Sequence, residues 1–120
     1  MATPEETLLR AYVEAFNRHD LAAVMACFTT DAVIVDMSGE RHEGTVEIQK
    51  FYEWQFRAFP DGRCDIERIA GDGGTGMAET TFHGTHVTSG KVVSARGPEV
   101  VEFAAGRIKH LHDHHRLTRA

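Results

Sequence analysis

The chain has 120 residues, a formal net charge of -5 and a pI near 5.9. With 42% hydrophobic and 26% charged residues, it is expected to fold as a single soluble domain over residues 1–120. An acidic chain is a poor partner for nucleic acid, and no apolar run approaches the ~20 residues that a membrane span needs. The opening residues, MATPEET, lack the apolar core of a signal peptide, and two cysteines make no disulfide framework, so a cytoplasmic location is expected.

Two helices are predicted first along the chain. Thr3 can cap the first helix, Pro4 suits its first turn, and Glu6 completes a capping box. Asp20 can cap the second, shorter helix. The apolar stripes that follow are Leu8, Leu9, Tyr12, Val13 and Phe16, then Leu21, Val24, Met25 and Phe28.

A strand and a third helix come next. Residues 32–37, AVIVDM, are rich in β-branched side chains and predict a strand that turns at Ser38-Gly39. Thr45 is expected to cap the third helix, and Pro60-Asp61-Gly62 ends it.

The rest of the chain predicts strands, at residues 63–70, 77–88, 91–105 and 107–117. The third of these segments can hold one or two strands, with a kink or bulge at Gly97-Pro98. Consecutive hairpin-linked strands form an antiparallel sheet with one buried face, which the helices must cover. A strongly curved sheet closed by helices leaves a cavity, and such concave sites usually hold small ligands.

Several segments resemble one superfamily. Residues 10–28 look like the opening helices of ketosteroid isomerases and SnoaL-type polyketide cyclases, and AVIVDM looks like the first strand of the isomerases. Phe59-Pro60-Asp61 and Gly84-Thr85-His86 resemble the cyclases. The chain thus resembles the nuclear transport factor two-like superfamily. The resemblance implies a cone-shaped α+β barrel, with a curved antiparallel sheet packed on three N-terminal helices.

Three candidate catalytic residues follow from the isomerase resemblance. It implies that Asp36 is a general base and that Tyr12 and Glu99 donate hydrogen bonds to an enolate oxygen. The apolar strand before Asp36 should raise its pKa. The alternatives to these catalytic roles are that Asp36 is a solvent-exposed turn residue and that Tyr12 only packs in the core. For Glu99, a one-residue slip in register would turn the side chain to the other face of the sheet.

Asp113 and His86 are alternative acid–base groups. Strand alternation places Leu111, Asp113 and His115 on one face. Asp113 matches the register of limonene-epoxide-hydrolase-like proteins, but Thr80-Thr81-Phe82 stands where their Arg-x-Asp would lie, which argues against epoxide opening. His86 in the GTH segment is interpreted either as a proton shuttle or as a histidine near solvent at the end of a strand.

No metal or other cofactor is expected. His110, His112 and His114 share the opposite face of the last strand, where adjacent side chains splay rather than converge on an ion.

The predicted function is proton abstraction next to a carbonyl in a small apolar, cyclic molecule, leading to isomerisation or aldol cyclisation. Phe82, Trp54, Phe56 and Phe103 are expected to line the substrate pocket. The alternatives are a non-catalytic ligand-binding or dimerisation module, and a dehydratase or hydrolase with the same pocket. A homodimer through the outer face of residues 107–117 is also expected.

Overall fold

The computed structural model describes residues 1–118. Within that range lie three helices and seven strands. The helices are α1 (Pro4–Asn17), α2 (Leu21–Ala26) and α3 (Gly44–Ala58). The strands are β1 (Phe28–Val35), β2 (Arg41–Glu43), β3 (Arg63–Asp72), β4 (Thr75–Thr85), β5 (Val92–Ala104), β6 (Arg107–Asp113) and β7 (Arg116–Leu117).

The helix starts follow local signals in two cases out of three. The Thr3 hydroxyl accepts from the Glu6 backbone N–H at 3.1 Å, and the Asp20 carboxylate accepts from that of Ala23 at 3.1 Å, which confirms both predicted caps. The predicted cap at Thr45 is wrong. Helix α3 follows directly on β2, because Gly44 has a φ of 85° that turns the chain sharply, and its cap position carries no side-chain hydrogen bond.

The strands form one curved, mixed sheet in the order β2-β1-β6-β5-β4-β3, which does not close into a barrel. The prediction of an antiparallel sheet is wrong at one place, because β1 and β6 run parallel, with Ile34 opposite Leu111. Hairpins force only consecutive strands to be antiparallel. Since β1 is joined to β6 through one helix and four other strands, its direction is free of that constraint.

Strand β5 is a single strand, and its ladder with β4 runs without a break through the pair Thr80–Gly97. Instead of a bulge, β5 changes partner on its other side at this point, from β7 to β6. The chain crosses close over Gly97 there, so a Cβ at this position would collide with the carbonyl oxygen of His114. This crossing turns the next residue, His115, inward.

The core lies between the helices and the concave face of the sheet. Its largest fully buried apolar side chains are Leu9, Val24, Ile34, Ile48, Tyr52, Val101 and Ile108. Among the described residues, none of the helices has the length and apolar character to cross a membrane.

Candidate active site

A cavity of about 300 Å³ opens between the helices and the concave face of the sheet. Most of its wall is apolar, with contributions from Phe16, Ile34, Phe51, Phe59, Phe82 and Leu111. This volume is at the lower end of the range for small-molecule sites. The ionisable groups that interrupt the apolar wall are Tyr12, Asp36, Tyr52, Cys64, Glu99, Asp113 and His115.

Tyr12 and Tyr52 form a buried pair of phenols. They lie on the inner stripes of α1 and α3, and their hydroxyl oxygens are 2.5 Å apart. Burial raises the pKa of each phenol well above the usual 10.0, so both stay neutral. Because only one of the two hydroxyls donates within the pair, the hydrogen of the other remains available to a bound molecule.

Glu99 is a buried carboxyl in this cavity. Its side chain is 8% exposed, and its Oε2 has no hydrogen-bond partner in residues 1–118. Burial raises its pKa to about 8, and the negative charge of Asp113 acts in the same direction, while His115 opposes them. Glu99 is therefore largely protonated at neutral pH and can donate a hydrogen bond.

Asp113 and His115 form a close pair on the same side of the sheet. The Nδ1 of His115 lies 2.5 Å from the Oδ1 of Asp113, which also accepts from the backbone N–H of His115 at 2.8 Å. The other ring nitrogen, Nε2, lies 2.8 Å from the hydroxyl of Thr80, a fully buried residue. Burial lowers the pKa of His115, but the hydrogen bond and charge of Asp113 outweigh it and raise the value.

These contacts give the two residues different roles. Both ring nitrogens of His115 already have protein partners, so the imidazole orients its neighbour rather than facing a ligand. Hydrogen bonds reach only Oδ1 of Asp113 among the described residues, which leaves Oδ2 for a ligand.

Asp36 also lines the cavity, but the turn after β1 holds its carboxylate. Its Oδ1 accepts from the backbone N–H and the hydroxyl of Ser38, at 2.9 and 2.6 Å, and from the backbone N–H of Glu40 at 3.0 Å. Its Oδ2 lies 2.8 Å from the Nε2 of His42. Burial favours a higher pKa, yet the bonds from His42, Ser38 and Glu40 outweigh it and lower the pKa. The predicted rise is wrong, because it considered the apolar strand and not the donors that follow it.

The other predicted site residues fall in two groups. Phe82 and Trp54 line the cavity, as do Tyr12, Glu99 and Asp113. Phe56, Phe103 and His86 are not among the lining residues. Phe56 stacks on His19 with ring centroids 4.5 Å apart, and His86 lies beyond the end of β4, where its Nδ1 is 3.2 Å from the hydroxyl of Ser89.

The sequence interpretation assigned no hydrogen-bonding role in the site to Tyr52, Thr80 or His115. Two of them carried a usable signal. His115 shares the predicted strand face of Asp113, and Tyr52 lies on the apolar stripe of α3 with a hydroxyl that needs a partner. Strand alternation puts Thr80 on the same face as Phe82, two residues later, but nothing local links it to His115, 35 residues away.

Two groups in residues 1–118 bring three potential metal ligands within 4.8 Å of one another: Asp36, Glu40 and His42, and Glu99, Asp113 and His115. Carboxylates and imidazole are ligands that divalent cations take. In both groups, however, the histidine nitrogen is already hydrogen-bonded to the aspartate, and a cation would have to displace that bond. Neither group includes the predicted histidine face, where the rings of His112 and His114 stack 4.1 Å apart.

Residues 9–111 match the model of the SnoaL-like domain family. The chain belongs to this family. This SnoaL-like protein has no significant match among curated proteins.

Solved structures share its fold. A proposed polyketide cyclase from Xanthomonas campestris superposes with a TM-score of 0.83 at 23% identity, covering 91% of this chain and 87% of the other. A nuclear transport factor two-like protein of unknown function from Burkholderia pseudomallei superposes with a TM-score of 0.83 at 21% identity, covering 98% of this chain and 92% of the other.

A third solved structure is a hypothetical protein from Catenulispora acidiphila with a ketosteroid isomerase-like fold, in complex with trimethylamine. It superposes with a TM-score of 0.81 at 16% identity, covering 92% of this chain and 85% of the other. The family match confirms the predicted SnoaL-like resemblance, and these likenesses confirm the predicted fold. At such low identities they leave the activity to be argued from the site.

Proposed function

We propose that this SnoaL-like protein is an acid–base enzyme that needs no cofactor and moves a proton next to a carbonyl group in a small apolar molecule. The observation that carries the proposal is the buried, unpaired carboxyl of Glu99. It lies in an apolar cavity, with an oxygen within 4.8 Å of ligand atoms of Asp113 and His115. Buried polar groups are nearly always paired, so an unpaired one that lines a cavity is available to a bound molecule.

The reaction requires donors that stabilise the negative charge on the carbonyl oxygen as the enolate forms. Glu99 supplies one O–H, because its pKa of about 8 keeps it protonated near pH 7. The Tyr12–Tyr52 pair supplies a second O–H, from whichever hydroxyl does not donate within the pair. Burial strengthens both interactions, since little water competes in an apolar cavity.

The reaction also requires a base that takes the proton from carbon. Asp113 fits this role, because its Oδ2 is free among the described residues while His115 holds its Oδ1. Asp36 is the weaker candidate. All its hydrogen bonds favour the charged form and lower its pKa, which reduces its affinity for a proton.

One proton abstraction supports two outcomes. In an isomerisation, Asp113 returns the proton to another carbon of the conjugated enolate, and a double bond moves. In an aldol cyclisation, the enolate carbon attacks a second carbonyl of the same molecule, and the proton ends on the new alkoxide. Both use the same donors and base, so the geometry supports the shared first step.

The test is deuterium uptake at the α-carbon of monocyclic and bicyclic ketones in D₂O, followed by NMR. We expect the protein to accelerate exchange on at least one ketone and Glu99→Leu, which removes the donor, to slow it by about 10²–10³-fold, the usual cost of losing an oxyanion donor. Glu102→Leu is the matched control, since Glu102 is an exposed residue of the same strand. Ketones that bind without exchange would make the protein a non-catalytic binder, and unchanged exchange in Glu99→Leu would overturn the role of Glu99.

A further inference from the structure

Three large apolar side chains line the cavity and yet face solvent. Met37 is 44% exposed, Trp54 is 50% exposed and Leu117 is 69% exposed. They come from three separate elements: the turn after β1, helix α3 and strand β7. Because the other apolar side chains of the lining are buried or half-buried, these three mark the mouth of the cavity, and we call them the apolar rim.

Folding does not account for the apolar rim. The buried side chains of α3 are Ile48, Tyr52 and Ala58, and Trp54 lies off that stripe. Leu117 belongs to a two-residue strand in which both residues are exposed, and Met37 lies in an exposed turn. None of the three contributes to the core, while each leaves apolar surface in water, which is unfavourable until something covers it.

The polarity of the cavity changes from the inside to the mouth. Tyr12, Tyr52, Glu99 and His115 are all buried, so the inner end carries the hydrogen-bonding groups. The apolar rim lies at the solvent end. A groove beside the mouth shares Trp54 with the rim but is otherwise lined mainly by charged or titratable groups such as Glu40, His42, Glu47 and Lys50. An apolar chain leaving the cavity is therefore better accommodated along the rim than in the groove.

We propose that the substrate is a carbonyl compound with an apolar tail, whose carbonyl binds at Glu99 and the tyrosine pair and whose tail reaches the apolar rim. This inference rests on the proposed function for the position of the carbonyl. It adds the substrate class: a molecule with one polar end, longer than the cavity itself.

The test measures the binding of a series of 2-alkylcyclohexanones, from methyl to octyl, by calorimetry. We expect Kd to fall about fourfold for each added methylene that reaches the rim, since a buried methylene favours binding by that factor. Trp54 is the only tryptophan of the chain, so its fluorescence reports contact at the mouth. The long-tailed members should change it, and the methyl member should not.

Variants locate the tail. Leu117→Ser and Met37→Ser should abolish the gain for long tails while leaving the affinity for the methyl member and the melting temperature unchanged. Val87→Ser is the matched control, because Val87 is 60% exposed but lies outside the cavity lining, and it should keep the full gain.

Affinity that does not change with tail length would overturn the inference. An increase in affinity with tail length that survives in both rim variants, or that is lost in Val87→Ser, would overturn it as well. Sedimentation that shows Leu117→Ser dissociating a dimer would also overturn it, because a second copy would then cover the rim. Deuterium exchange separates the two proposals. Exchange with flat tail dependence supports the function without the rim, and tail-dependent binding without exchange supports the rim without the function.

Discussion

Two aspartate–histidine pairs line or flank the same cavity, and they differ in what surrounds them. At the turn after β1, the Oδ2 of Asp36 lies 2.8 Å from the Nε2 of His42. At the end of β6, the Oδ1 of Asp113 lies 2.5 Å from the Nδ1 of His115. The turn donates three further hydrogen bonds to Asp36, whereas Asp113 faces the buried Glu99 across the ladder. Against the effect of burial, the hydrogen bonds around Asp36 lower its pKa, whereas burial and the charge of Asp113 raise the pKa of Glu99. The surroundings of each carboxylate, rather than the strand that carries it, thus set its acidity.

The largest expected difference between the pairs is catalytic. Asp113→Asn should slow α-proton exchange by about 10²–10⁴-fold, the usual cost of losing a general base, and Asp36→Asn should slow it by less than about tenfold. Exchange on a ketone that the parent protein deuterates measures both, with thermal melting as a check on folding. The opposite result, with exchange lost in Asp36→Asn and kept in Asp113→Asn, would make Asp36 the base.

The second difference is in the pH dependence of stability. The pKa of Glu99 is raised from 4.5 to about 8, so between these values the unfolded chain ionises Glu99 while the folded chain keeps it neutral. The stability that this difference in pKa contributes is fully present below pH 4.5 and is lost as the pH rises towards about 8. Over that window the free energy of unfolding falls on the order of 1.4 kcal/mol for each pH unit. The raised pKa of His115 acts in the same direction. Its contribution to stability is present below the usual pKa of 6.5 and is lost as the pH rises through the higher pKa of the folded state.

Urea unfolding at pH 5 and pH 8 measures this effect. Glu99→Gln should remove much of the loss of stability between the two pH values, and Glu102→Gln should keep it. An equal loss in Glu99→Gln would mean that Glu99 is ionised in the folded protein, like Asp36, and the contrast between the two regions would fail.

A smaller effect is expected at Thr80, which holds the ring of His115 and has no counterpart at His42 within residues 1–118. Thr80→Val removes the partner of Nε2, so kcat for exchange should fall about tenfold with KM nearly unchanged. Thr80→Ser keeps the hydroxyl and should restore kcat. If Thr80→Ser is as slow as Thr80→Val, packing rather than the hydrogen bond explains the loss.

The smallest effect concerns the turn at Asp36. Asp36→Ala removes four hydrogen bonds at the edge of the cavity and should lower the free energy of unfolding by about 1–2 kcal/mol at pH 6. Because the pKa of Asp36 is lowered from 3.8, this stability is present above 3.8 and is lost as the pH falls through the lower folded value. Urea unfolding at pH 6 and pH 3 should therefore show a smaller difference between parent and variant at pH 3.

Local signals predicted much of the fold. The caps at Thr3 and Asp20 depend on hydrogen bonds to backbone groups three residues away, so they can be recognised from sequence. The parallel pairing of β1 and β6 had no such signal, because its partners are far apart in the chain. The three-residue strand β2 is too short for alternation to show.

The candidate site divides in the same way. Strand alternation by itself placed Leu111, Asp113 and His115 on one face, and all three line the cavity. Which carboxylate is neutral and which is charged was decided only by the tertiary structure, because a pKa depends on burial and on charges within a few ångströms. For Glu99 those charges come from Asp113 and His115 on the adjoining segment, and for Asp36 the donors come from its own turn. The sequence therefore determined which groups could meet at the cavity. The packing of distant segments decided the protonation of Glu99, and the folded geometry of a local turn decided that of Asp36.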